Sequence, residues 1–122
     1  MGLYFHSPQL GWAVGSGGTL LKTVDGGTKW KKVVSGTTAS LSGIFFLDEK
    51  QGWVVGTNGT IRQSQDGGHT WHAQLVDTQV ALYGLSFVSP SEGWVVGGNG
   101  TILRSTTGFV RLHIPGAPPS FV

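Results

Sequence analysis

Apolar residues in this chain come in short runs, broken every few positions by Gly, Asn, Ser or Asp. Leu41–Phe46, Trp53–Gly56, Thr60–Ser64 and Thr70–Val76 are four such runs in succession. Each is rich in β-branched and aromatic residues, which suits strands. Asn58-Gly59 separates the second run from the third, and Asn99-Gly100 recurs later. Both central positions of a type I′ hairpin turn need positive φ, which Asn and Gly adopt most readily. No window sustains the ~3.6-residue apolar period of an amphipathic helix, so the pattern predicts strands and no helix.

The same runs return at a fixed interval. GWAVGSGGTLLKTVDGGTKW begins at Gly11, GWVVGTNGTIRQSQDGGHTW at Gly52, and GWVVGGNGTILRSTTGFVRL at Gly93. Their leading tryptophans, Trp12, Trp53 and Trp94, stand 41 residues apart. The register extends upstream: Gly2-Leu3-Tyr4-Phe5, Gly43-Ile44-Phe45-Phe46 and Gly84-Leu85-Ser86-Phe87 align at the same offset. A unit of about 40–45 residues with four short strands fits a propeller blade. The chain is therefore expected to be all-β: three four-stranded antiparallel blades over residues 2–35, 42–76 and 83–114, within one propeller segment, 1–114. Residues 115–122, opening on Pro115-Gly116-Ala117-Pro118-Pro119, read as an irregular tail. Three repeats fall short of the usual about four to eight blades. The expectation is an incomplete ring: a fragment of a longer propeller, a truncated frame or an oligomerising piece. The outer repeats carry the same apolar pattern as the middle one and show no polar cap, which predicts self-association through open blade faces.

Composition agrees with tight turns and short strands. Of 122 residues, 21 are Gly and only 11% are charged, against about 25% in ordinary soluble domains. A net charge of +2 is too small to imply nucleic acid. With no cysteine, disulfides, thiol catalysis and Cys-ligated zinc are excluded. No apolar run approaches the ~18 residues of a membrane span. The first residues show no signal-peptide pattern, so any export signal is expected to lie outside this chain.

Ser64-Gln65-Asp66-Gly67-Gly68-His69-Thr70-Trp71 has the form S-x-D-x-G-x-T-W, the Asp-box. Thr23-Val24-Asp25-Gly26-Gly27-Thr28-Lys29-Trp30 is a close variant, with Lys29 in the Thr position. The structural residues are Thr23, Asp25, Gly27 and Trp30 in the first box, and Ser64, Asp66, Gly68 and Trp71 in the second. In such a turn the Asp carboxylate accepts backbone N–H bonds, a Gly supplies positive φ, and the Trp folds onto the hairpin. The third copy has Thr107, Phe109 and Leu112 in place of the Asp, the second Gly and the Trp, and predicts a looser turn.

The combination of L-x-G-I-x-F, GW-[AV]-VG-x-x-GTI and S-x-DGG-x-TW resembles the photosystem II stability/assembly factor family of β-propellers, over nearly the whole chain. That resemblance implies a non-enzymatic propeller, with an assembly role in the photosynthetic members, on the lumenal or extracytoplasmic side. It implies a protein partner rather than nucleic acid.

Asp-boxes also occur in sialidases, so an Asp-box carbohydrate-binding or glycosidase fragment is the competing reading. Sialidase chemistry needs a Tyr nucleophile, an acid and an arginine cluster. Tyr4 and Tyr83 fall in or beside first strands. Arg62 and Arg104 occupy adjacent repeat positions and are expected to point to opposite faces. Asp48, Glu49 and Glu92 belong to first-to-second-strand loops, expected on the same side as the Asp-boxes. No enzyme site, cofactor or metal is expected. His72 and His113 share an outer-strand repeat position too far apart for one ion. GSGG and GTNG lead into strands rather than helix N-termini. Lys22, Gln63 and Arg104 share one position on the third strands. They are either ordinary solvated residues or a polar, partly basic stripe that binds a partner presenting acidic groups. Lys29, Lys31 and Lys32 form a separate outer-strand cluster, for which solubility or edge protection is the simpler role.

Overall fold

A computed structural model describes residues 2–74, 76, 78–105 and, as backbone, 109–111. Twelve strands form three four-stranded sheets, each an antiparallel meander with strands in chain order. Blade 1 comprises β1 (Gly2–Phe5), β2 (Gly11–Val14), β3 (Leu20–Thr23) and β4 (Lys31–Lys32). Blade 2 comprises β5 (Leu41–Phe46), β6 (Gly52–Gly56), β7 (Thr60–Ser64) and β8 (His72–Ala73). Blade 3 comprises β9 (Leu82–Ser89), β10 (Glu92–Gly97), β11 (Thr101–Ser105) and β12 (Phe109–Arg111). The described residues do not close a ring. The expected tail at 115–122 and the decayed turn at Thr107 lie outside them, as do Leu112 and His113.

The hairpins between second and third strands explain the periodic glycines. Asn58 and Gly59 take φ of 57° and 66°, and Asn99 and Gly100 take 58° and 68°. Gly17 and Gly18 do the same in blade 1, and Thr19 and Thr60 close their turns with N–H bonds back to Ser16 and Thr57. The backbone twist of such turns matches that of the flanking strands. The described residues contain no α-helix; Ser16–Gly18 and Gly98–Gly100 are single 3-10 turns within these hairpins.

The fourth strands are shorter than the expected Thr70–Val76: only His72 and Ala73 pair with β7, opposite Gln63 and Arg62. The Thr70 N–H is taken by the Asp66 carboxylate instead of a ladder bond. One further bond, from the Gln74 N–H to the Ile61 carbonyl at 2.8 Å, carries the contact just past the strand.

The core lies between blades. Successive side chains of a strand point to opposite faces. Trp12 and Val14 face blade 2, where they meet Ile44, Phe46, Val54 and Trp71. Trp53 and Val55 face blade 3, where they meet Phe87, Val95 and Leu103. The contact is aromatic at its centre. Trp12 stacks on Phe46 and stands edge-on to Trp71, whose ring centroid is 6.1 Å away. Trp53 stacks on Phe87 at 3.7 Å between centroids and 3° between planes. Two polar ties join the same seams: the Tyr4 hydroxyl donates to the Phe46 carbonyl at 2.9 Å, and the Ser42 hydroxyl donates to the Leu82 carbonyl.

Candidate functional site

The Asp-box turns are built by the residues the motif singles out. Ser64 is fully buried, and its hydroxyl donates to Asp66 Oδ1 at 2.8 Å while accepting the Gly68 N–H at 2.8 Å. Asp66 accepts the Thr70 N–H at 3.0 Å and the Thr70 hydroxyl. The Trp71 indole N–H donates to the Gly68 carbonyl at 3.0 Å. In the first box Thr23 donates to Asp25 Oδ1 at 2.8 Å and accepts the Gly27 N–H at 2.9 Å, while the Lys29 N–H reaches Asp25 Oδ1 at 2.9 Å. Lys29 has no hydroxyl to repeat the Thr70 bond.

These donors hold both carboxyls below the usual carboxylate range. For Asp66 the leading cause is the Thr70 hydroxyl, followed by the Thr70 N–H. For Asp25 it is the Lys29 N–H, followed by the Thr23 hydroxyl. An acid–base catalyst working near neutrality needs its pKa moved toward 7. These two are moved the other way, by bonds local to their own turns. Asp48 is likewise lowered, by the Gln51 and Lys50 N–H groups. Its loop lies beside the second Asp-box: the Gly67 N–H donates to the Lys50 carbonyl at 3.1 Å, as the Gly26 N–H does to Gln9 at 3.0 Å.

Lys22, Gln63 and Arg104 stand in one repeat position, each opposite the blade's leading tryptophan: Trp12, Trp53 and Trp94. Each meets different neighbours. The Lys22 ammonium lies 5.1 Å above the Trp12 ring and donates to the Gly67 carbonyl of blade 2 at 3.2 Å. Gln63 is half-buried. Arg104 is exposed, pairs with Glu92 at 3.2 Å and lies 6.0 Å from the Trp94 ring. Arg62 sits apart from Arg104, donating to the Trp71 carbonyl at 3.1 Å.

The basic surface that the structure does assemble lies at the rim of blade 1. A groove of about 770 Å³ runs between β4 and the second Asp-box. Lys22, Lys29, Lys31 and Lys32 line it, with Val24, Trp30 and Val34 as its apolar surface and Gly68 and His69 on the blade 2 side. Asp25 is the carboxylate in its lining, and that group is engaged within its own turn. The outer edge of β4 has no strand against it among the described residues. The clustering Lys29-Trp30-Lys31-Lys32 was the available sequence signal. What it could not show is that Lys22 and the neighbouring Asp-box complete the opposite wall.

Among the described residues no group of three or more His, Asp or Glu side chains could hold a metal ion. No helix among them is long and apolar enough to cross a membrane.

Residues 28–109, more than half of the chain, match the family described as photosynthesis system II assembly factor YCF48. The fold is similar to that of a structure titled YCF48 bound to D1 peptide, with a TM-score of 0.79 and 22% identity over 92% of this chain. It is similar too to YCF48 from Cyanidioschyzon merolae, with a TM-score of 0.76 and 22% identity over 89% of this chain. At that identity the likeness establishes the fold. The chain spans 38% of the length of each of these structures. No curated protein matches it in sequence.

Proposed function

Because the chain belongs to the photosystem II assembly factor YCF48 family, we propose that it works without catalysis, as a propeller module that holds a segment of a protein partner. The observation that carries the reading is the groove of blade 1. Four lysines surround an apolar surface that includes the half-exposed ring of Trp30, beside the open edge of β4. An extended segment can add along such an edge through its backbone while its side chains use the apolar surface. Lysines around the rim favour a segment with acidic residues and speed its arrival. A relative in this family has been captured with a D1 peptide; by analogy the partner here is a peptide segment of a photosystem II protein. Of the three residues on the shared third-strand position, Lys22 belongs to this groove, while Gln63 and Arg104 lie on other blades.

The glycosidase alternative gains no support from side-chain placement. The Tyr4 hydroxyl is bonded to a backbone carbonyl, and Arg62 and Arg104 are engaged at separate places.

The test is fluorescence anisotropy with labelled D1-derived peptides of differing net charge. Acidic peptides should bind most tightly, and affinity should fall with added salt. The double variant Lys31→Glu with Lys32→Glu, both exposed, should weaken binding at least about tenfold with the fold unchanged. Equal affinity for the double variant and the parent chain would exclude the groove.

A further inference from the structure

The two Asp-boxes share one frame and part at one side chain. In the second box Ser64 donates to Asp66 Oδ1 at 2.8 Å, the Thr70 N–H reaches the same oxygen at 3.0 Å, and the Thr70 hydroxyl takes Oδ2. In the first box Thr23 donates to Asp25 Oδ1 at 2.8 Å, and the Lys29 N–H reaches that oxygen at 2.9 Å. The Gly27 and Gly68 N–H groups close the two turns with bonds of 2.9 and 2.8 Å. The backbone therefore presents position 29 to Asp25 as it presents position 70 to Asp66. A hydroxyl at position 29 would stand opposite Oδ2, and lysine has none. The bond given up is a hydrogen bond to an ionised carboxylate, which belongs to the stronger class.

The Lys29 ammonium gives the turn nothing in exchange. Among the described residues the ion pair present joins Arg104 to Glu92, and Lys29 is in none. Its exposed side chain lines the groove of blade 1 instead, with Gly68 and His69 on the blade 2 side. Lys22, in the same lining, is already engaged by the Gly67 carbonyl and the Trp12 ring. All of this lining falls between Lys22 and His69, on two blades of this chain that pack against each other.

Resting on the groove as the peptide site, we propose that Lys29 is a binding residue recruited from the Asp-box. Its ammonium pairs with a carboxylate of the acidic segment, and the first box is a weaker turn than the second for that reason. Turn stability and partner binding then pull position 29 in opposite directions. Threonine there would serve the turn, and lysine serves the partner.

The experiment compares the parent chain with Lys29→Thr and Lys29→Val by thermal melting and fluorescence anisotropy. The probes are a labelled acidic peptide and the same peptide with every Asp and Glu replaced by Asn and Gln. Lys29→Thr supplies the hydroxyl and should melt above the parent chain. Lys29→Val has the same branched shape without the hydroxyl and should melt below Lys29→Thr. Both variants should bind the acidic peptide about two- to fivefold more weakly, the range for one exposed charge pair. Both should bind the amide peptide as the parent does. Lys29→Thr that holds the acidic peptide like the parent, or melts no higher than Lys29→Val, would overturn the proposal. So would an equal loss toward both peptides. The groove is judged separately by Lys31→Glu with Lys32→Glu. If that double variant loses the acidic peptide and Lys29→Thr does not, the groove stands and Lys29 has no part in it. If the parent chain binds no acidic peptide, both readings fall.

Discussion

Trp12 of blade 1 lies flat on Phe46 of blade 2, with ring centroids 4.7 Å apart and planes 12° from parallel. Both rings are buried, so the seam between blades is a packed core rather than a contact between finished domains. Trp12→Ala should destabilise the chain by about 3–5 kcal/mol, the range for removing a large buried aromatic. Urea denaturation followed by circular dichroism measures it. A loss under about 1 kcal/mol would mean the seam contributes little.

The Asp66 carboxylate gathers the turn between β7 and β8, so its charge state should couple to folding. Its folded-state pKa is lowered, so the stability it supplies is complete above the ordinary value of 3.8 and drains away as pH falls below that toward the folded-state value. Asp66→Asn should therefore lower the melting temperature at pH 7, with the gap to the parent chain narrowing in acid below pH 4. Melting curves across that range check both the sign and the window.

Gly17 and Gly68 both have positive φ, at 65° and 87°, yet they sit in different surroundings. A Cβ on Gly17 would meet nothing within 4 Å, whereas one on Gly68 would stand 2.0 Å from the Trp12 ring. Gly17→Ala should cost about 1–2 kcal/mol, the conformational penalty alone. Gly68→Ala should exceed it by a further ~1–3 kcal/mol because the seam must open. Equal losses in denaturation would show that Trp12 yields freely.

Tyr4 ties β1 of blade 1 to the backbone of blade 2 through one hydroxyl bond. Tyr4→Phe keeps the ring and removes the donor, leaving the Phe46 carbonyl short of one partner. The expected loss is about 0.5–1.5 kcal/mol. Desolvation raises the Tyr4 pKa above its ordinary value, so its ultraviolet titration should lie above that of a free tyrosine.

The repeat was legible because its signals are local and chemical. Asn-Gly pairs need one kind of turn, and the Asp-box residues bond chiefly to one another, so both could be read from neighbours in sequence. The motif combination identified the family that the match over residues 28–109 establishes. The sequence showed that Lys22, Gln63 and Arg104 share a position, but not what each one touches. Lys22 meets a carbonyl 45 positions away in the chain, and nothing in a single strand announces it. The fourth strands were overestimated because β-branched and aromatic residues after Thr70 look like strand, while the Asp66 carboxylate competes for the same backbone N–H.

β6 is buried at all five of its residues, Gly52 through Gly56, because both faces of its blade are covered. Its side chains are exposed only when a seam on one side of blade 2 opens. Loss of either neighbouring blade therefore weakens blade 2 directly, as in a stack held by nearest-neighbour coupling. A destabilised outer blade would shed protection from hydrogen exchange on its own side and, through the shared seam, in β6 as well.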